Sequence, residues 1–509
     1  MGSIAKKKCF IKYALLACAI AFINVYFRQS FIVSFVVAIG EIFTLLFCVL
    51  TKRMDSYLCF YLVFLSNCLE FSSFVGDEAF YGFKNFRIVG ISLSTLALIP
   101  LIAYGLFEIT KLKAIEKVNR LKFSSFLLLM NFIAIFIGLF SVLINDNNVV
   151  SLGSVFSLLI DDIYEMMFIP LALCVSVPAF LNKNRFFKIK FGIVLETILV
   201  GSVFQIIISV IFKQYGYYGG VATLQASTIS FFIPFLALSI LKQEYSVYPK
   251  FCFALSIIGS ILLVLFNASG KAILVVAIIY FFLFVRLFCR FKAIGRCLLI
   301  IVASAVFVSF IILVNNYSNS SSVIFKSKMN QALSLFNVLD PNWLEKMPIS
   351  PRTRIEETRS ILIEYYHKPY FLFFGKGFLG SITDNTGFFY SHISSADGFV
   401  SELEWRQGIF YNLHESNLIL IKYGLFGIGF LIYVVIQGLK RFRKTNSLFA
   451  LIGVFWFLFF YGYSAVISVF GLSSLLFGYY YSYLSNCRQS EKQLLFSKNI
   501  KPILDRSSI

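Results

Sequence analysis

Asn315-Asn316-Tyr317-Ser318-Asn319-Ser320-Ser321-Ser322 opens a polar interval, and His414-Glu415-Ser416-Asn417 closes it directly before a new apolar run. Between them lies the one long polar stretch of a chain that is 59% hydrophobic, with mean hydropathy +0.83. Soluble domains hold about 45–50% apolar residues, so the flanking sequence reads as membrane spans. All three histidines, His367, His392 and His414, fall inside the interval. Its basic and acidic residues roughly balance.

Working outward, the N-terminal Lys6-Lys7-Lys8 precedes an apolar run reaching Phe27. A signal peptide begins the same way, and Leu15-Leu16-Ala17-Cys18 resembles a lipoprotein cleavage box. The run continues well past Cys18, which suits an uncleaved first helix of about 18–20 residues. Further spans are expected near 31–50, 56–75, 88–110, 123–144, 160–181, 191–212, 225–241, 250–266, 272–285, 298–314, 416–436, 447–464 and 471–484. The expected fold is therefore an all-α polytopic membrane protein. It has about fourteen transmembrane helices and one large, partly helical, outward-facing loop. Residues 1–314 form an N-terminal bundle, 315–415 the loop, 416–485 the C-terminal helices and 486–509 a tail.

The net charge of +20 points to nucleic acid only if it lies on one soluble face. Here the charges sit in short clusters between apolar runs, as the positive-inside rule requires. Lys52-Arg53, Lys111 to Lys122, Lys183 to Lys190, Lys242 and Lys250, Arg286 to Arg296, and Lys440 to Lys444 occupy alternate loops. About 30 of the 45 Lys and Arg fall on that side. Both termini are then cytoplasmic and the polar interval faces outward. None of the ten cysteines lies in the interval, so it carries no disulfide in an oxidising compartment.

Within the interval, Ser350-Pro351 looks like a helix start, with Ser as N-cap and Pro in the first turn. Pro369 ends the pattern. On a wheel of about 100° per residue, Ile355, Leu362 and Tyr366 form one apolar stripe. Arg352 and Arg359, seven residues apart, lie along one edge of it. Two guanidinium forks so placed suit a pyrophosphate, but both are also within reach of Glu356 on the same helix, and lipid phosphates would satisfy them too. Gly375-Lys376-Gly377 permits a tight turn or a close backbone approach to a ligand. His414, at the mouth of the next span, has the chemistry of a general base near neutral pH. An interfacial histidine also serves simply as an amphipathic side chain. Asn417 follows one turn later.

These residues together resemble the O-antigen polymerase and O-antigen ligase superfamily. The likeness rests on Arg359, on Gly375-Lys376-Gly377 sixteen residues later, and on His414-Glu415-Ser416-Asn417 ahead of Tyr423-Gly424-Leu425-Phe426-Gly427. It extends to Asn267-Ala268-Ser269-Gly270-Lys271-Ala272 between two spans. Glu415 stands where the family commonly has Asn after His, and Lys271 stands where it often has Arg. The resemblance implies a metal-independent glycosyltransferase needing no cofactor. Its donor is a glycan on undecaprenyl pyrophosphate, and its place is the outer face of a bacterial inner membrane. A polymerase passes the chain to a second lipid-linked repeat unit; a ligase passes it to lipid A–core. His414 would deprotonate the acceptor hydroxyl. Arg352, Arg359, Lys271, Asn417, Gly375 and Gly377 would bind substrate. Membrane lipid and a chain-length regulator protein are the implied partners.

Two other patterns compete. Asp161-Asp162-Ile163-Tyr164-Glu165 resembles an acidic metal site for prenyl diphosphates, or a solvated helix start. Glu41 and Glu70 sit inside apolar runs and should face the bundle interior, lining a polar channel or pairing with Asn24 or Asn67. A flippase would suit the span count, although the large loop sits asymmetrically and no repeated halves are evident. A glycosyltransferase using a carboxylate in its first outer loop fits worse, since that loop is only Arg28-Gln29-Ser30.

Overall fold

The structure is a computed structural model. It describes residues 3–27, 30–66, 86–88, 91–111, 114–144, 152–163, 185–212, 215–218, 221–224, 246–266, 292–301, 340–392, 408–411 and 415–445, with a few single positions between them. Among the described residues the chain is mostly helical, with fourteen helices and three small antiparallel ladders.

The first helices are α1 (Ser3–Tyr26), α2 (Phe31–Leu50) and α3 (Met54–Ser66). A ladder of β1 (Arg87–Ile88) with β2 (Ile91–Ser92) leads into α4 (Leu93–Leu96) and α5 (Leu98–Thr110). Next come α6 (Ala114–Leu143), α7 (Leu152–Asp162) and α8 (Arg185–Ile211). β3 (Tyr215–Tyr218) pairs with β4 (Val221–Leu224) ahead of α9 (Pro249–Phe266). The polar interval contributes α10 (Trp343–Lys346), α11 (Ile349–His367), α12 (Phe371–Phe374), β5 (Ile382–Thr383), α13 (Phe388–His392) and β6 (Ile409–Phe410). β5 pairs with β6. The last described helix, α14 (Glu415–Thr445), is kinked at Gly424.

Three apolar segments are long enough to cross a bilayer: Ile4–Tyr26, Phe31–Leu50 and Ile189–Ile211. Twenty residues of helix rise about 30 Å, the thickness of the hydrocarbon core. Shorter apolar helices cover Met54–Ser66, Leu98–Thr110, Leu128–Leu143, Pro249–Leu263 and Asn417–Tyr433. A helical membrane protein is therefore present, and the described residues hold three full-length spans rather than fourteen. The span expected at 88–110 does not start as helix: Arg87–Ile88 and Ile91–Ser92 pair as the β1–β2 ladder, and α5 has 13 residues. At about 1.5 Å per residue it cannot reach across alone. The spans expected at 272–285, 447–464 and 471–484 lie outside the described residues, as do the tail and most of 160–181, 225–241 and 298–314.

The side-chain pattern is that of helices in lipid. On α2 the buried residues are Ser34, Ala38, Glu41, Leu45 and Cys48, while Phe31, Phe35, Phe43 and Phe47 are exposed. On α6, Asn131, Ala134, Gly138 and Ser141 are buried and Phe132, Phe136 and Phe140 exposed. Small and polar groups face protein and large apolar ones face outward, because lipid offers a polar atom no partner. Glu41 is buried, as an ionisable group within a span requires, and so is Asn24. Glu70 and Asn67 lie outside the described residues.

Chain contacts separate two units. The first comprises Met1–Leu96, Ile189–Lys368 and Ser381–Asn417; the second comprises Ala97–Lys188, Pro369–Gly380 and Leu418–Ile509. Both are discontinuous, and their limits do not follow the segment limits at 314 and 415. In the first unit α8 is the central helix. Phe10 of α1 packs on Ile189 and Ile193, and Val25 packs on Ile208, so α1 and α8 run side by side in the same direction. Lys190 pairs with Asp55 at the start of α3, at 2.6 Å. Glu196 accepts hydrogen bonds from Ser246 Oγ and from the amides of Val247 (2.9 Å) and Tyr248 (2.9 Å), immediately before α9. The Tyr248 amide stands at the N-cap of α9 and the other two donors just before it, so a buried carboxylate from a neighbour fixes the approach to this helix. The basic flanks at Lys6–Lys8, Lys52-Arg53, Lys190 and Lys250 thereby gather toward one end of this unit.

Candidate functional site

The candidate site starts from α11. Its N-cap is Pro348, and the first helical hydrogen bond runs from the Arg352 amide to the Pro348 carbonyl at 3.1 Å. Ser350 is thus not the expected cap but lies inside the first turn. Pro351 is tolerated there because its missing N–H has no helical acceptor. At the other end the Lys368 amide reaches Glu364, and Pro369 follows, as expected.

The expected buried stripe is overturned. Leu362 and Tyr366 are 49% and 84% exposed, while Thr353, Glu356, Glu357, Ser360, Ile361 and Tyr365 are buried. The inward face is largely polar. Hydrogen bonds, not apolar area, orient this helix. Ile355, Leu362, Ile363 and Tyr366 instead line an open groove of about 540 Å³ with Thr358 and Arg359.

Arg352 and Arg359 flank the buried Glu356, as their spacing allowed. Arg352 Nε lies 3.7 Å from Glu356 Oε1, and Arg359 Nη1 lies 3.8 Å from Oε2. Both contacts are longer than a hydrogen bond, so each fork keeps N–H groups to offer an anion. The Arg352 guanidinium also lies over the Phe388 ring of α13, 4.7 Å from its centroid. His392 stacks on Phe388 at 4.6 Å. The turn before α13 is pinned by Asp384, which accepts from the Tyr390 amide at 2.9 Å. At the start of the described loop, Asp340 pairs with Lys346 at 2.7 Å, which holds its carboxyl below the usual carboxylate range.

Asn417 is joined to this helix. Its amide nitrogen donates to the Arg354 carbonyl (2.8 Å) and to Glu357 Oε2 (2.9 Å), and its oxygen lies 2.7 Å from Thr358 Oγ1. The single Thr358 proton is shared between Asn417 and the Arg354 carbonyl at 2.9 Å. Glu357 and Thr358 were missed from sequence. The signal was a second acid in the Glu356-Glu357 doublet that cannot share the environment of the first. His414 and Lys271 lie outside the described residues. His367 and His392 are exposed.

Gly375 and Gly377 belong to the second unit. There the turn 375–380 is inserted against α6 and α14. The Lys376 amide donates to the Ile421 carbonyl (2.6 Å) and the Phe378 amide to the Ala134 carbonyl (2.8 Å). A Cβ on Gly375 would stand 2.5 Å from the Ile421 oxygen, and one on Gly424, at φ 59°, 2.5 Å from the Gly375 nitrogen. Each glycine is the space the other's backbone occupies. Gly375 (φ 72°) and Gly377 (φ 74°) thus make the tight turn, and what their backbone approaches is protein, the Ile421–Gly424 and Ala134–Gly138 segments, not the ligand expected as the other use.

Asp162 closes the same cluster. It pairs with the buried Lys422 through Oδ1 and accepts from the Leu379 amide through Oδ2 at 2.9 Å. Both oxygens are thus engaged with protein, which takes Asp162 out of the acidic metal pattern and out of the solvated helix start alike. Glu165 and the side chain of Asp161 lie outside the described residues, and no group of three or more ligating side chains occurs among the described ones. Lys422 was missed from sequence; the signal was that it is the one charged residue between Glu415 and Lys440, and a lone cation in an apolar run calls for an anion. Tyr423 OH donates to Asn131 at 2.6 Å beside this pair. No protein-family model matches the chain, and neither does any curated protein or solved structure in the comparisons made.

Proposed function

We propose that the chain is a polysaccharide polymerase of the bacterial inner membrane, transferring a glycan from undecaprenyl pyrophosphate to a hydroxyl of a second lipid-linked repeat unit. Both termini are cytoplasmic in this reading and the polar interval faces outward. The gathering of basic segments at one end of the first unit is consistent with that orientation. The observation that carries the reading is the pair Arg352 and Arg359 around Glu356, on a helix tied by Asn417 to the segment that bears His414.

The chemistry follows from the leaving group. The acceptor oxygen bonds to the anomeric carbon, the carbon–oxygen bond to phosphate breaks, and the pyrophosphate leaves with the electron pair. Arg352 and Arg359 neutralise the charge that develops on it. His414 takes the proton from the acceptor hydroxyl. Lys271 contributes a point charge to the same phosphates. No metal is invoked in this reading, because the pyrophosphate is a good leaving group and the third charge it gains on departure would be met by the cations of Arg352, Arg359 and Lys271.

The lipopolysaccharide of a deletion strain tests the assignment. A single repeat unit on core supports polymerase. Absence of any repeat on core with lipid-linked polymer accumulating indicates a ligase, and loss of outward-facing lipid-linked units indicates a flippase.

A further inference from the structure

We propose that Asn417 is a positioning residue: its side-chain amide locks α11 to the start of α14, and so sets the register between the arginine pair and the first turn of the helix that follows His414 in the sequence. The proposal deepens the glycosyl-transfer reading and rests on it.

A primary amide has two N–H donors and one carbonyl acceptor. On Asn417 one nitrogen serves the Arg354 carbonyl and Glu357 Oε2, and the oxygen faces the Thr358 hydroxyl. All three partners lie within one turn of α11, at i, i+3 and i+4, and Asn417 is 5% exposed. An apolar contact would tolerate rotation or sliding of the helix. This arrangement does not, because a slip of one residue breaks every bond at once. Arg352 and Arg359 lie on either side of this turn, so fixing it fixes them.

The identity of the residue is decisive. An aspartate has the same shape but would set a carboxylate against the Arg354 carbonyl and the Glu357 carboxylate. Changing Glu357 to glutamine in that background returns one donor across the joint. The function assigned is geometric. A misplacement of about 1 Å between reacting groups costs on the order of 10²-fold in rate.

The test uses the purified full chain in lipid nanodiscs with a polyprenyl-pyrophosphate-linked glycan donor, comparing N417A, N417D, N417D/E357Q, H414A and H414A/N417A. N417A should lower kcat by about 10- to 100-fold while donor KM changes by less than about threefold, and the melting temperature should fall, since the buried Glu357 carboxylate loses a donor. N417D should be slower still, and N417D/E357Q should recover about tenfold over N417D. H414A/N417A should be no slower than H414A, since a positioning residue has nothing left to position. Wild-type kcat in N417A with H414A inactive overturns the proposal alone. So does a loss in H414A/N417A that equals the product of the two single losses. H414A at the wild-type rate overturns the base reading, and with it the claim that Asn417 acts through His414.

Discussion

The Lys422 ammonium is paired with the Asp162 carboxylate, 260 residues earlier in the chain, and that carboxylate also receives the Leu379 amide. One side chain thus joins α7, α14 and the glycine-containing turn. Removing one partner of a buried pair leaves an uncompensated charge, at a cost of about 3–5 kcal/mol. Asp162→Ala should therefore lower the amount of folded protein in the membrane, while an Asp162→Asn, Lys422→Met double variant should recover part of it. Equal yields for Asp162→Ala and wild type, measured by fluorescence-detected size exclusion in detergent, would show that the pair does not hold this unit together.

Close backbone packing makes a second prediction. A Cβ on Gly138 would overlap the Phe378 carbonyl, whereas one on Gly40 in α2 meets no atom within 4 Å. Overpacking costs about 1–3 kcal/mol or more, and alanine in an open helix position gains up to about 1 kcal/mol over glycine. Gly138→Ala should lower the melting temperature and Gly40→Ala should hold or raise it. Equal effects of the two would mean that the turn 375–380 is not seated on α6.

Much of this was legible in the sequence. The start and end of α2 match the apolar run 31–50, and the place of α11 follows from Pro351 and Pro369. The facing of α11 was not legible, because a wheel weighs apolar residues and the interior here is set by Glu356, Glu357 and Ser360. Nor was the β1–β2 ladder, whose residues Ile88, Ile91 and Ser92 read as the start of a span because local hydropathy does not register strand pairing. Arg352 and Arg359 were placed beside Glu356 correctly because helical spacing is a local property. The joint of Glu357 with Asn417 spans 60 residues and leaves no local trace.

Glu196 offers a separate check on the first unit. Its carboxylate holds the amides of Val247 and Tyr248 and the Ser246 hydroxyl at the entrance of α9. Hydrogen bonds to a charged group contribute about 1.5–3 kcal/mol each, so Glu196→Ala should destabilise strongly and Glu196→Gln less. Hydrogen exchange of residues 246–250 reads this directly. Unchanged protection in Glu196→Ala would remove the capping role.

The arginine pair predicts a split between charge and shape. Arg359→Lys keeps the charge but loses the planar fork, so it should cut chain growth substantially with normal membrane levels, and Arg359→Ala more so. EDTA should leave the rate intact. Full activity in both variants would remove Arg359 from the site, and loss on chelation would redirect the search to a metal.

The central claim is that His414 takes the acceptor proton, and a positioned base contributes about 10²–10⁴-fold. The direct measurement is transfer by the purified protein from a lipid-linked donor, followed across pH for wild type and His414→Gln. The account predicts a wild-type rate that falls on acidification as the imidazole is protonated. In His414→Gln the rate should be lower by at least about 10²-fold, with that pH dependence gone. A near-normal rate with an unchanged pH profile in His414→Gln would contradict it.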